Sequence, residues 1–109
     1  MNASVVVRRL AALSGASAVG AGAYGAHGTD SHIHALFEIA NKYHFYHSLA
    51  LLGAAHCRKP AVAGGLLLAG MGMFCGSLYH QALTGDPGMS KAAPYGGMAL
   101  MAGWLAIVL

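Results

Sequence analysis

The sequence predicts an all-α fold, a four-helix transmembrane bundle with an up-down-up-down order and short loops. Hydrophobic residues make up 57% of the 109 residues and charged residues only 8%, whereas a soluble domain typically has about 25% charged residues. Four apolar stretches follow one another, separated by short segments that carry glycine, proline or charge. The length accommodates one transmembrane domain over residues 1–109.

The first two helices are predicted at about residues 8–26 and 32–56. Residues 10–26 form an uncharged stretch of 17 residues, which is just long enough to cross a bilayer. The uncharged part of the second helix, residues 43–55, has only 13 residues. We expect this helix to extend backward, because residues 33–46 contain neither Gly nor Pro and Glu38 precedes Lys42 by the favourable spacing of four.

The third and fourth helices are predicted at about residues 60–83 and 92–109. Their uncharged stretches, residues 61–79 and 92–109, contain 19 and 18 residues, so both reach the length of a crossing. Pro60 fits the first position of a helix, where its missing N–H is not needed. Residues 84–88, Thr-Gly-Asp-Pro-Gly, form a strong turn signal before the fourth helix.

Small residues at a spacing of four predict how the helices pack. The first helix carries Ser14, Ala18 and Gly22, and the third carries Gly72 and Gly76. Such rows permit backbones to approach closely in lipid, where burial from water does not drive association. We expect both rows to serve packing within this bundle, and a homodimer face is the alternative.

The basic residues predict the orientation of the chain in the membrane. Four of the six lie on one side of the predicted bundle: Arg8, Arg9, Arg58 and Lys59. The other two, Lys42 and Lys91, lie on the opposite side. The positive-inside rule then places both termini in the cytosol or in the mitochondrial matrix. Their scatter, without a basic stripe, argues against nucleic-acid binding.

The N-terminal segment permits two interpretations. Arg8-Arg9, the apolar run and Ala21-x-Ala23 resemble a cleavable secretory signal. The segment has no acidic residue before Asp30 and contains Arg and Ser, which is also typical of transit peptides. We expect a retained helix that doubles as a mitochondrial address, which favours the mitochondrial inner membrane.

Polar residues inside the predicted bundle are the candidate functional positions, because such residues are costly in a membrane. His44 and His47 share a face of the second helix with Asn41. The ordinary interpretation is that their imidazoles form hydrogen bonds across helices. The full candidate set is His27, Glu38, Asn41, His44, His47 and His80.

A bound cofactor is the alternative use of these histidines. Zinc would take His44 and His47 with His80 or His27 as a third ligand, and haem would take two axial imidazoles such as His47 and His80. Glu38 with His44 and His47 would suit a proton relay.

The sequence contains no Cys-x-x-Cys pair, phosphate-binding glycine loop, nucleophile elbow or His-Glu-x-x-His helix. The leading hypothesis is therefore a non-enzymatic accessory or interaction subunit in the lipid bilayer, partnered by a larger membrane complex or by a like subunit. The competing class is a metal- or haem-binding redox protein, or a proton or small-solute pathway.

Motifs along nearly the whole chain resemble one family, the uncharacterised small membrane proteins that include metazoan transmembrane protein 256 and bacterial YgdD. The matching segments are residues 25–28, 40–42, 47–52, 56–60, 81–87, 94–97 and 103–106. The resemblance implies a four-helix membrane protein without an assigned molecular role. A vertebrate member has an aromatic residue at the position of His80, which argues against His80 as an essential ligand, whereas His27 and His47 lie within matching motifs.

Overall fold

A computed structural model describes residues 2–26 and 31–108 of the chain. These residues form four α-helices and one short 3-10 helix, and they contain no β-strand. The predicted all-α class is therefore confirmed. The helices are α1 (Ala3–Ala26), α2 (Ser31–Ala54), α3 (Pro60–Thr84) and α4 (Ala93–Ala106), and the 3-10 helix Pro87–Ala92 precedes α4.

The start of α1 lies five residues before the predicted one. Asn2 caps it, because its side-chain oxygen accepts a hydrogen bond from the N–H of Val5 at 2.9 Å and its carbonyl accepts one from Val6 at 3.2 Å. Asparagine is among the residues best suited to this position. Arg8 and Arg9 consequently lie in the second turn of α1 rather than at its start.

The ends of α3 follow the local sequence signals. Pro60 occupies its first turn, and Gly85 follows its last residue with φ of 75°. This left-handed conformation carries little penalty for glycine, and it lets the N–H of Gly85 donate to the carbonyl of Gln81 at 2.8 Å. The fourth helix is shorter than predicted: α4 begins at Ala93, directly after the 3-10 helix, and ends at Ala106 after 14 residues.

The helices follow one another as antiparallel neighbours, with α3 in the centre. Extensive contacts join α1 to α2, α2 to α3 and α3 to α4, and α1 reaches α3 over a smaller area. Within the described residues, no comparable contact joins α4 to α1 or to α2. The bundle is therefore open along one flank of α2 rather than closed into a ring of four helices.

Glycines allow α3 and α4 to approach closely. A Cβ atom on Gly96 would lie 2.5 Å from the backbone nitrogen of Phe74, and one on Gly70 would lie 2.8 Å from the backbone nitrogen of Leu100. Gly103 likewise faces Leu67, with 2.8 Å to its Cδ2. Contacts this short exist only because these residues lack side chains.

The two predicted rows of small residues have different surroundings. Ser14 and Ala18 face α2, and a Cβ on Gly22 would lie 2.9 Å from Oδ1 of Asn41. By contrast, a Cβ on Gly72 or Gly76 would meet nothing within 4 Å. The expectation that these two glycines pack within the bundle therefore stays a prediction. They lie beside the faces of α3 that carry the contacts to α2 and α4.

Two of the described helices are long and apolar enough to cross a membrane. Residues Ala3–Gly25 have a mean hydropathy of 1.2, and Pro60–Thr84 have a mean hydropathy of 1.7. Helix α2 carries Glu38 and Lys42, and α4 spans only about 21 Å at 1.5 Å per residue. Length and composition therefore support two of the four predicted crossings.

Candidate functional site

Polar side chains halfway along α2 point towards α1 and α3. Asn41 donates from Nδ2 to the carbonyl oxygen of Ala18 at 2.8 Å and to the hydroxyl oxygen of Tyr79 at 3.2 Å. The Tyr79 hydroxyl lies 3.1 Å from Nδ1 of His44. Because this hydroxyl already accepts from Asn41, its own hydrogen is available to His44. Asn41, Tyr79 and His44 thus form a continuous chain between α2 and α3.

A second set of hydroxyl groups joins α2 to α1. The hydroxyl of Ser48 donates to the carbonyl of His44 at 2.7 Å, and the hydroxyl oxygens of Ser14 and Ser48 lie 2.6 Å apart. Ser14 is then the donor of that bond. Nε2 of His44 lies 3.4 Å from the hydroxyl oxygen of Ser17. We call this set the polar cluster: Ser14, Ser17, Asn41, His44, Ser48 and Tyr79.

Each residue of the polar cluster forms a hydrogen bond with another member or with the backbone. In hydrocarbon no water is present to do so, and an unpaired polar group costs several kcal/mol by order of magnitude. Residues 41, 44 and 48 lie on one face of α2, because three and four residues correspond to about one helical turn. The cluster therefore holds three helices together without needing a ligand.

His47 has a different environment from His44. Its Nδ1 lies 2.7 Å from the carbonyl oxygen of Tyr43, and a carbonyl oxygen only accepts, so Nδ1 carries a hydrogen. The ring stacks on Tyr43 at a centroid distance of 5.8 Å and meets the edge of Trp104 at 5.8 Å. Only 5% of His47 is exposed. The residue thus connects the flank of α2 to an aromatic side chain of α4.

A lateral groove of about 1090 Å³ separates α2 from α4, and we call it the α2–α4 groove. It exists because α4 packs on α3 and leaves the flank of α2 uncovered. Its lining is apolar and aromatic apart from His47 and Lys42, whose ammonium lies 5.8 Å from the ring centre of Tyr46. The lining includes Tyr43, Tyr46, Ala50, Gly53, Phe74, Gly97, Leu100, Met101 and Trp104.

Three further residues were predicted for the site: His27, Glu38 and His80. His27 lies outside the described residues. Glu38 is exposed on α2, where it lines a shallow surface with Lys42. His80 lies on α3, and its buried Nδ1 has no hydrogen-bond partner among the residues that the structure describes.

The proposed metal ligands are not brought together. Within residues 2–26 and 31–108, no group of three His, Cys, Asp or Glu side chains is arranged to hold a metal ion. His44 contacts Tyr79 through Nδ1, and His47 contacts the Tyr43 carbonyl through Nδ1. The hypothesis of a zinc site on His44, His47 and His80 therefore does not fit this arrangement.

Tyr79 and Trp104 are the site residues that sequence reasoning missed. Tyr79 contacts His44, and Trp104 contacts His47. The available signal was the position of Tyr79 at the end of the uncharged stretch of residues 61–79, where a hydroxyl needs a partner.

Comparison with known proteins identifies the family. The model of the family described as "Protein of unknown function (DUF423)" matches residues 21–97. The UPF0382 membrane protein SAB0533 of Staphylococcus aureus (strain bovine RF122 / ET3-1) is 36% identical over 109 residues, covering 92% of this chain and 89% of the relative. The chain belongs to this UPF0382 membrane protein family.

The family extends from bacteria to yeast. The UPF0382 membrane protein YwdK of Bacillus subtilis (strain 168) is 33% identical, covering 92% of this chain and 90% of its own length. The UPF0382 membrane protein C1782.12c of Schizosaccharomyces pombe (strain 972 / ATCC 24843) is 30% identical, with coverages of 96% and 100%. No solved structure matches the chain.

These UPF0382 relatives are named as membrane proteins, which supports a membrane location for this chain. The family model covers α2 and α3 entirely, and so it includes Asn41, His44, His47 and Tyr79. The family description assigns no molecular activity. The function must therefore be argued from the polar cluster and from the surfaces around it.

Proposed function

We propose that this UPF0382 protein crosses the membrane four times and acts as a non-enzymatic accessory or interaction subunit of a larger membrane complex. The kinship with metazoan transmembrane protein 256 and bacterial YgdD is part of this proposal, as is the mitochondrial inner membrane as its location. Lys42 would extend its ammonium towards the headgroups while its methylene chain stays in lipid.

The observation that carries the proposal is the self-sufficiency of the polar cluster. Its side chains bond to one another and to the backbone, as in the contact of Asn41 with Ala18 and that of Ser14 with Ser48. A catalytic centre instead directs several groups at one point where a substrate can sit. The interior of this bundle serves assembly, which leaves the outer faces for function.

The antiparallel order of the helices supports the proposed topology. It places the beginning of α1 and the loop between α2 and α3 at the same end, as the contact of the Ser4 hydroxyl with the carbonyl of Ala55 at 2.6 Å illustrates. Arg58 and Lys59 lie in that loop, and Arg8 and Arg9 lie in the nearby part of α1. The positive-inside rule then assigns this end to the cytosol or matrix.

The face of α3 around Gly72 and Gly76 is the surface that we assign to a partner helix. Both glycines have open space where a Cβ would stand. Both glycines line a groove of about 290 Å³ on α3, together with Ser14 of α1, His44 of α2, and Met71, Cys75 and Tyr79 among others. Small residues beside a groove allow another transmembrane helix to approach closely.

Replacement of both glycines tests the proposal. Gly72→Leu with Gly76→Leu should leave the fold intact, because a Cβ at either position meets nothing within 4 Å and both positions line a groove of about 290 Å³ that has room for a larger side chain. The double variant should nevertheless abolish recovery of the partner from crosslinked membranes in mild detergent. The matched control is Gly53→Leu on α2, which also points into open space but lies on the other side of the molecule.

Two results would overturn the accessory role. One is purification of the wild-type protein only as a free monomer, with no partner after crosslinking in its native membrane. The other is a crosslinking pattern that Gly72→Leu with Gly76→Leu leaves unchanged while circular dichroism shows a folded protein.

A further inference from the structure

The free nitrogen of His47 points to a binding site that the polar cluster does not use. Because Nδ1 donates to the carbonyl of Tyr43, the neutral imidazole keeps a lone pair on Nε2. Within the described part of the chain, Nε2 has no hydrogen-bond partner, whereas both ring nitrogens of His44 contact hydroxyl groups. His47 lines the α2–α4 groove and is 5% exposed. The groove thus offers an unpaired hydrogen-bond acceptor on a largely buried side chain.

The surroundings of His47 favour an aromatic ligand. Tyr43 stacks on its ring, Trp104 meets it edge-on, and Phe74 packs 4.8 Å from Tyr43. Aromatic rings attract one another in tilted and offset arrangements by about 0.5–1.5 kcal/mol beyond the burial of their area. A planar ring in the groove would therefore gain both apolar and ring-to-ring contacts.

The size and position of the groove fit a molecule that arrives from the lipid. Its volume of about 1090 Å³ lies just above the usual range of ligand pockets, roughly 300–1000 Å³, which leaves room for a headgroup and part of a tail. It opens sideways between α2 and α4, where these helices lack extensive contact. Leu49 and Met101, which are 64% and 61% exposed, continue the apolar lining outward. A hydrocarbon tail can therefore remain in the bilayer while a headgroup enters.

We propose that the α2–α4 groove binds a lipid-soluble phenol or quinol, a molecule with a hydroxylated aromatic ring and an apolar tail. The hydroxyl donates to Nε2 of His47, and the ring packs against Trp104 and Phe74. This inference goes beyond the accessory role, because it concerns a different face of the molecule from Gly72 and Gly76. A hydrocarbon chain alone would leave Nε2 unpaired, which is why we assign a ligand that has a donor.

A matched pair of ligands tests whether a hydroxyl donor on the ligand strengthens binding in the α2–α4 groove. Trp104 is the single tryptophan of the chain and lines the groove, so its fluorescence reports occupancy. Purified protein in nanodiscs is titrated with 4-nonylphenol, which donates a hydrogen bond, and with 4-nonylanisole, which cannot. We expect saturable changes with both compounds and a Kd about fivefold lower for the phenol, since one hydrogen bond is worth about 1 kcal/mol.

Two variants separate the hydrogen bond from the cavity. His47→Phe keeps an aromatic ring and removes the acceptor, so it should give both compounds the same Kd. Gly97→Leu fills the groove from α4, where a Cβ would stand in ordinary contact with Phe74 at 3.8 Å, and should raise both Kd values at least about tenfold. Gly72→Leu, on the other face, is the control and should change neither.

The proposal is overturned if wild-type protein shows no saturable change, or if it binds the phenol and the ether equally. If folded Gly97→Leu protein binds both compounds as tightly as the wild type, the compounds bind outside the α2–α4 groove, and this result also overturns the proposal. These results leave the accessory role untouched, because that role is tested at Gly72 and Gly76. Conversely, failure of the proposed partner surface at Gly72 and Gly76 would not change the ligand titrations that Trp104 fluorescence reports.

Discussion

The interface between α3 and α4 and the interface of α2 with α1 and α3 are held together by different means. Gly70, Gly96 and Gly103 bring α3 and α4 so close that their backbones approach within van der Waals distance. The contacts of α2 instead depend on the hydrogen bonds that Asn41 donates to Ala18, that Ser48 accepts from Ser14, and that the hydroxyl of Tyr79 forms with His44. One molecule thus contains both of the interactions that can join helices in lipid.

The difference follows from composition. The interface of α3 and α4 is apolar, so close packing is the interaction open to it, and glycine permits the shortest separation. Helix α2 carries polar groups that must be paired when they leave water, so its neighbours supply hydroxyls and carbonyls. The comparison predicts that steric changes harm the first interface more than the loss of a hydrogen bond harms the second.

The largest effect is expected from Gly96→Ala. The added Cβ would lie 2.5 Å from the nitrogen of Phe74 and 2.8 Å from Cβ of Met73, and neither atom can move without moving the helix. We expect α4 to shift away from α3, with a loss of about 2–3 kcal/mol in the free energy of unfolding. Unfolding in detergent, followed by Trp104 fluorescence, measures it.

The neighbouring glycine provides the control. A Cβ on Gly97 would meet Phe74 at 3.8 Å, an ordinary contact, so Gly97→Ala should change the stability by less than about 0.5 kcal/mol. Equal stability of the two variants would contradict the account of the close approach.

An intermediate effect is expected from Tyr79→Phe. The change removes the hydroxyl that accepts from Asn41 and lies beside Nδ1 of His44, and it leaves both groups without that partner. We expect a loss of about 1–2 kcal/mol in the free energy of unfolding. Tyr95→Phe on α4, where 64% of the side chain is exposed, is the control and should have almost no effect. Similar losses in both variants would contradict a role for the polar cluster.

The smallest effect is expected from Ser14→Ala. It removes the 2.6 Å contact with Ser48, but the Ser48 hydroxyl still donates to the carbonyl of His44. We expect a loss of about 0.6 kcal/mol, the average for a single hydrogen bond between membrane helices. Chemical denaturation of the purified protein measures this difference. A loss as large as that of Tyr79→Phe would place the main link between helices at Ser14 instead.

The sequence predicted the number and order of the helices because each apolar stretch is bounded by a local signal, such as Pro60 or the turn at residues 84–88. It did not predict which glycines lie between helices. Gly72 and Gly76 have the spacing of a packing row and remain open, whereas Gly96 and Gly103, seven residues apart, carry the contact. Periodicity identifies residues that share a face, but not which neighbour that face meets.

The same limitation explains why the surroundings of His44 and His47 could not be predicted from the sequence. His44 and His47 share a face of α2 on a helical wheel, yet their directions differ by about 60° at 100° per residue. That angle is enough to place His44 near Ser17 of α1 and His47 near Trp104 of α4. Their partners Tyr79 and Trp104 come from distant parts of the chain, so only the tertiary arrangement identifies them.

The succession of interfaces also has a consequence for biosynthesis. Each extensive contact joins helices that are consecutive in the chain. The hairpin of α1 and α2 can therefore close before α3 packs on it, and α4 can dock on α3 after the other helices are in place. Because α4 does not have to be inserted between helices that already pack together, assembly can proceed in the order of the chain, with local contacts that form rapidly.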